Sequence, residues 1–153
     1  MALELKSPDI MPNETIPTRF TCQGEEVSPA LTWSGVPQET KSFALLCDDP
    51  DAPSGDWVHW VVFNIPKDAR GLPENILAQE TLKDGSRQGV NDSHKIGYDS
   101  PCPPPGRPHR YFFKLYALDT VLDIKREVTK KILLSEMQGH VLAEAKLVGT
   151  YQR

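Results

Sequence analysis

The 153-residue sequence contains no apolar run that approaches the roughly 18 residues of a membrane-spanning helix. Integral membrane association is therefore not expected. The first residues also lack a basic segment followed by an apolar core, so they do not resemble a signal peptide, and we expect a cytoplasmic location. Basic residues are in the minority, because 17 Lys and Arg face 21 Asp and Glu, for a net charge of −4. Nucleic acid is therefore not expected as a partner, since it requires a basic surface.

Cysteine is scarce, and Cys22, Cys47 and Cys102 are the only three. They are odd in number and include no CxxC pair, so their spacing fits neither a zinc site nor a disulfide framework. We therefore expect reduced thiols in a reducing compartment.

Proline, in contrast, is abundant: all 14 prolines lie at or before Pro108. Because proline interrupts helices, the first two thirds of the chain are predicted to form short strands and ordered loops. No linker divides the sequence, so residues 1–153 are expected to form a single domain. Apolar, β-branched and aromatic runs predict strands at 31–33, 42–47, 57–65, 109–118 and 147–151.

One helix is predicted, at 125–145. Its apolar residues recur every four or five positions and would form one face, made of Val128, Ile132, Met137, Val141 and Ala145. Many strands with one late helix indicate a mainly β domain with a C-terminal helical segment packed on it.

An acidic, proline-containing segment follows the strand predicted at 42–47. Residues 48–53 include three carboxylates and two prolines, and Ala52–Pro53 is a candidate cis peptide bond. The preceding apolar run would place Asp49 at the rim of the core, where a carboxylate needs a partner. A solvated acidic turn is the alternative interpretation.

Trp57 and His59 open the strand predicted at 57–65. Strand alternation places these two side chains on one face and Val58 and Trp60 on the other. A histidine beside a tryptophan would give the site an aromatic surface on which the imidazole nitrogens can form hydrogen bonds. The alternative is a core histidine that hydrogen-bonds to a backbone carbonyl.

His109 and Tyr111 share one face at the start of the strand predicted at 109–118. If this strand neighbours the others, His109 could meet His59 and Asp49. The proline-rich loop at 97–106 would then form a rigid border, because proline fixes the backbone before any ligand binds. A polyproline ligand for an aromatic groove is the alternative for this loop.

Two histidines and a carboxylate could bind a metal ion, but these residues come from separate strands and lack a metal-ligand spacing. They could also bind an anion, because imidazole and loop N–H groups donate hydrogen bonds while a carboxylate orients them. Asp49 would accept a hydrogen bond from an imidazole and favour its protonated form. We therefore expect an anion site with no metal and no cofactor.

The segments 49–53, 57–59, 97–106 and 109–111 occur in the order found in the phosphatidylethanolamine-binding protein family. Residues 139–151 resemble its prokaryotic branch, the Raf kinase inhibitor-like proteins. The resemblance covers the whole chain and implies a β-sandwich-like fold, a pocket for phosphate or phosphorylated small molecules, and a homodimer. The implied ligand-binding residues are Asp49, Pro53, Trp57, His59, Cys102, Pro103, Gly106, His109 and Tyr111.

Three functions follow from these residues and this resemblance. The first is non-enzymatic, and possibly regulatory, binding of a phosphorylated small molecule, because no activated nucleophile is evident. The second is a protein-interaction or inhibitor module that acts on a kinase or protease, and it rests on family analogy alone. The third is a hydrolase that uses Asp49 and His59 as an acid–base pair, with Ser100 or Cys102 as nucleophile.

Overall fold

The computed structural model describes residues 2–153 and contains two antiparallel β-sheets and one α-helix. The strands are β1 (Glu4–Lys6), β2 (Leu31–Ser34), β3 (Ser42–Asp49), β4 (Trp57–Pro66), β5 (Gly71–Leu72), β6 (Arg87–Gln88), β7 (His109–Leu118) and β8 (Val141–Tyr151), and the helix is α1 (Lys130–Met137). The large sheet has the order β6-β4-β3-β7-β8, and the small sheet has the order β1-β2-β5. The mainly β prediction is confirmed.

The large sheet is covered on both faces. One apolar cluster fills the space between the two sheets and includes Trp33, Phe43, Trp60, Tyr111 and Phe113. A second cluster lies between the large sheet and the helix layer and includes Leu46, Val61, Phe63, Leu133 and Met137. The central strands are therefore apolar on both sides, as their sequences predict.

Strand β3 is buried along its whole length and lies between β4 and β7. It extends two residues beyond the predicted end, so the carboxylates of Asp48 and Asp49 enter the sheet and point to opposite faces. Asp48 faces the helix layer, where its Oδ2 lies 2.6 Å from Nζ of Lys130 and 3.3 Å from Nζ of Lys114. Asp49 faces the other side.

The predicted helix at 125–145 is wrong over most of its length. The helix is α1 alone, with the Thr129 hydroxyl accepting a hydrogen bond from the backbone N–H of Ile132 at 3.3 Å. After α1, Gly139 adopts a φ of +84°, and the chain turns into β8. Apolar residues four positions apart share a face in a regular strand as well as in a helix. The spacing therefore could not distinguish the two structures.

A β-bulge at His59 shapes the start of β4. Cys47 pairs with Trp60, whereas the next residue, Asp48, pairs with Val58, so His59 is the extra residue on β4. The prediction that Val58 and Trp60 share a face is wrong for this reason. Trp60 packs between the sheets and Val58 packs in the helix layer.

The acidic turn after β3 contains no cis peptide bond, and neither does any other part of residues 2–153. The Ala52–Pro53 prediction is therefore wrong. The turn closes through two hydrogen bonds: the backbone N–H of Asp51 donates to Oδ1 of Asp49 at 2.8 Å, and that of Gly55 donates to the Ala52 carbonyl at 3.0 Å. Gly55 adopts a φ of +102°, which glycine tolerates at little cost.

No helix within residues 2–153 has both the length and the apolar character needed to cross a membrane.

Candidate functional site

A cavity of about 400 Å³ lies where β3, β4 and β7 meet the loops that follow β3 and precede β7. Eight of the nine residues that the resemblance implies line it: Asp49, Pro53, Trp57, His59, Cys102, Pro103, His109 and Tyr111. Gly106 does not line it. It lies outside the rim, where its backbone N–H donates to the Arg153 carbonyl at 3.2 Å and its carbonyl accepts from the Gln152 amide at 2.7 Å.

His109 and Asp49 form a buried pair at the base of the cavity. Nδ1 of His109 lies 2.7 Å from Oδ2 of Asp49, and both side chains are less than a tenth exposed. An ionised carboxylate only accepts hydrogen bonds, so Nδ1 carries the proton. The antiparallel strands β3 and β7 place the two residues at the same end of the sheet, as predicted.

His59 is held by Asp99 through two backbone contacts. Its Nδ1 lies 2.6 Å from the Asp99 carbonyl oxygen, and the Asp99 backbone N–H donates to the His59 carbonyl at 2.8 Å. A carbonyl only accepts, so Nδ1 of His59 is also protonated. Asp49 hydrogen-bonds to His109 and not to His59, so the two groups proposed as an acid–base pair line the same cavity without contacting each other through a hydrogen bond.

In both histidines, Nδ1 is therefore the protonated nitrogen and Nε2 is left available to a molecule in the cavity. The His59 ring also meets the Tyr111 ring edge-on, with centroids 5.2 Å apart. Burial, reinforced by the charge of Asp49, raises the pKa of the Tyr111 phenol well above its ordinary value. Tyr111 therefore stays protonated at physiological pH and can donate a hydrogen bond.

Asp99 is a cavity residue that the sequence prediction missed. Its Oδ2 accepts a hydrogen bond from the Ser93 hydroxyl at 2.7 Å and lies 3.5 Å from Nε1 of Trp57. Asp99 lies inside the loop predicted to border the site, but a single aspartate in a polar loop carries no pattern that marks it. The place of Asp99 at the cavity is evident only from its contacts with His59 in the structure.

Asp51 and Arg110 point away from the cavity and pair with each other. The Arg110 guanidinium donates from Nε and Nη2 to the two Asp51 carboxylate oxygens, both at 2.9 Å. These hydrogen bonds lower the pKa of Asp51 to about 2. Neither Asp51 nor Tyr111 therefore changes protonation between pH 5 and 8, the range in which histidine ordinarily does.

The predicted nucleophiles have their reactive atoms engaged elsewhere. The Ser100 hydroxyl donates to Glu26 at 2.7 Å, and Cys102 is bonded to Cys22. Neither contacts an imidazole, which is the arrangement that activates a serine or cysteine. Within residues 2–153, no three His, Cys, Asp or Glu side chains converge as metal ligands.

Cys22 and Cys102 form a disulfide, so the prediction of three reduced thiols is wrong for these two. The pair is separated by 80 residues, a distance at which no spacing motif indicates pairing, but the fold brings the two Cα atoms within 5.3 Å. Cys47 is the free cysteine, and it is buried. Burial raises the pKa of its thiol well above the ordinary value.

A larger groove, of about 770 Å³, lies on the opposite face of β7 and β8. Its buried acid, Asp48, is already paired with Lys114 and Lys130, and Lys130 also reaches Asp56 at 2.6 Å. The groove therefore holds ion pairs that neutralise one another, and it contains no imidazole. We assign the candidate site to the smaller cavity for this reason.

Comparisons with known proteins agree with the fold and the motif order. The family model for the phosphatidylethanolamine-binding protein matches residues 6–152. A UPF0098 protein from Methanothermobacter thermautotrophicus is 61% identical over 138 residues, which cover 90% of this chain and 91% of that protein. A UPF0098 protein from Aquifex aeolicus is 42% identical over 153 residues, which cover 99% and 89% of the two chains.

Two crystal structures are similar over nearly the whole chain. The phosphatidylethanolamine-binding protein homolog CT736 from Chlamydia trachomatis has a TM-score of 0.90 and 41% identity, and the match covers 99% of this chain and 98% of that one. E. coli YbcL, described as a member of the mammalian phosphatidylethanolamine-binding protein family, has a TM-score of 0.90 and 34% identity, with 100% and 99% covered. The chain therefore belongs to the phosphatidylethanolamine-binding protein family.

Proposed function

We propose that this protein binds a small anion, such as the phosphate group of a small molecule, and does not transform it. The observation that carries this proposal is the pair of buried histidines, His59 and His109, whose Nδ1 atoms are each held by a protein acceptor. Both histidines and Tyr111 line one cavity. When both imidazoles are protonated, their two Nε2–H groups and the Tyr111 hydroxyl provide three donors, which suit the oxygens of a phosphate.

The net charge of the cavity determines which protonation state of its histidines allows an anion to bind. Asp49 and Asp99 place two carboxylates at the cavity, so neutral histidines would leave it negative. Both carboxylates are already used by protein donors, Asp49 by His109 and Asp99 by Ser93. With both imidazoles protonated, the four groups are neutral together, and both Nε2–H groups donate. We therefore expect anion binding to require protonated histidines.

The direct test is calorimetry with inorganic phosphate and phosphoethanolamine at pH 6. We expect saturable binding to the wild-type protein and none to the His59→Ala variant. His140→Ala is the matched control, because the His140 side chain is 45% exposed and pairs with Asp119 outside the cavity. Binding that survives His59→Ala as well as His140→Ala would reject the proposed site.

The other functions have less support from the site. A hydrolase would need an activated nucleophile, and neither Ser100 nor Cys102 is activated. Turnover of a phosphoester that is lost in the His59→Ala variant would support this function. A protein-interaction role remains a prediction, and capture of a kinase or protease that survives His59→Ala would favour it. The cytoplasmic location also remains a prediction.

The homodimer implied by the resemblance also remains a prediction. Leu134, Val141 and Leu142 expose 40%, 42% and 38% of their surface, and such apolar side chains can be covered by a second copy. Sedimentation velocity of the wild-type protein checks the mass in solution. A monomer at all concentrations would contradict the prediction.

A further inference from the structure

We propose that the Cys22–Cys102 disulfide controls the affinity of the cavity, so that reduction weakens anion binding without unfolding the protein. The inference rests on the proposed function and adds a regulation of the same site. We call residues 102–106 the lip, because Cys102 and Pro103 border the cavity there. The disulfide fixes the position of the lip, and its reduction to two thiols allows the lip to move.

The disulfide joins two segments that are distant in the sequence. Cys22 follows the 3₁₀ turn Thr18–Phe20, and Cys102 begins the lip, 80 residues later. The disulfide thus links the cavity border covalently to the segment that follows the 3₁₀ turn.

The disulfide is accessible from solvent. Cys102 is exposed and Cys22 is partly exposed, whereas the third cysteine, Cys47, is buried. Exposed disulfides are the ones that thiol reagents reach and that act in regulation, whereas structural disulfides resist reduction.

The contacts before the lip do not depend on the disulfide. The Tyr98 hydroxyl donates to the Phe20 carbonyl at 2.8 Å, and the Cys22 backbone N–H donates to the Pro101 carbonyl at 3.1 Å. The Ser100 hydroxyl donates to Glu26. These hydrogen bonds keep the chain in place up to Pro101 after reduction, and so they preserve the position of Asp99 against His59.

Apart from the disulfide, the hydrogen bonds of the lip go to the exposed residues Gln152 and Arg153 after the end of β8. Nε of Arg153 donates to the Pro103 carbonyl at 2.5 Å, and Gly106 hydrogen-bonds to the Arg153 carbonyl and to the Gln152 amide. Without the disulfide, the lip therefore gains freedom while the two histidines keep their partners. Binding then has to order the lip again, and we expect the affinity for phosphate to fall by about three- to tenfold.

The redox step is an ordinary exchange with a dithiol. A thiolate of the reductant attacks one sulfur of the disulfide and displaces the other cysteine as a thiolate, which takes up a proton. The second thiol of the reductant then attacks the mixed disulfide and releases the second cysteine. The protein gains two electrons and two protons, and the dithiol becomes a cyclic disulfide.

The test compares phosphate affinity at pH 6 in three forms of the full chain: oxidised, reduced with dithiothreitol and freed of reagent without oxygen, and reoxidised. A second variant, Cys22→Ser with Cys102→Ser, should bind like the reduced form with or without dithiothreitol. Cys47→Ser is the control, since it should respond to reduction like the wild type. Far-UV circular dichroism verifies that each form is folded.

The expected result is weaker binding in the reduced form and recovery after reoxidation. Equal affinity in the oxidised and reduced forms would overturn the redox inference and leave the proposed function intact. No binding in any form would overturn both. If the double serine variant does not fold, the comparison of oxidised and reduced wild-type protein decides the question alone.

Discussion

Replacing Asp49 by alanine is expected to abolish phosphate binding and to lower the free energy of unfolding by about 2–4 kcal/mol. Asp49 accepts hydrogen bonds from Nδ1 of His109 and from the backbone N–H of Asp51. Its removal leaves the buried His109 without a partner and frees its ring to rotate. The cavity then loses the orientation of one of its two imidazoles. Denaturant unfolding and phosphate calorimetry at pH 6 measure the two effects.

The matched control is Asp51→Ala, two positions later on the same turn. The Asp51 carboxylate pairs with Arg110, whose side chain is 55% exposed, and it does not line the cavity. The pair is bidentate but partly exposed, so this variant should lose less stability than Asp49→Ala and should retain phosphate binding. Equal losses in the two variants would indicate a general disturbance of the turn and would contradict the role given to Asp49.

Trp60→Ala is expected to have the largest effect on stability alone, at about 3–5 kcal/mol. Trp60 is fully buried between the sheets, packs edge-on against Tyr98 at 5.4 Å, and donates from Nε1 to Gln88 at 2.8 Å. Truncation would open a cavity and leave the Gln88 oxygen unpaired. Chemical denaturation measures the loss.

Trp57→Ala serves as the aromatic control for this prediction. Trp57 lies three residues earlier on the same strand, but it is only partly buried at the cavity border. It should therefore cost less stability than Trp60→Ala and should affect ligand binding more. The opposite order of stabilities would contradict the assignment of Trp60, and not Trp57, to the core.

The long strands of the large sheet could be predicted because their side chains are apolar on both faces and pack against an apolar cluster on each side. The runs predicted at 42–47, 57–65 and 109–118 coincide with β3, β4 and β7, since each is apolar on both faces. The end of the chain could not be predicted in this way. A spacing of four residues is compatible with both a helix and a strand, and only the turn at Gly139 separates α1 from β8.

The candidate site was predictable where its residues lie at strand ends. Asp49 and His109 come together because antiparallel neighbours bring the end of β3 to the start of β7. His59 and its partner could not be paired from the sequence, because the β-bulge that turns His59 and the loop that brings Asp99 depend on tertiary contacts. The disulfide was missed for the same reason, since 80 residues separate its cysteines.

The most direct measurement is ¹⁵N NMR of the four histidine rings during a phosphate titration at pH 6. We expect the Nε2 resonances of His59 and His109 to shift together and to saturate with one affinity. His94 and His140, which do not line the cavity, should remain unchanged. The absence of a saturable shift at His59 and His109, or equal shifts at all four rings, would contradict the assignment of an anion site to this cavity.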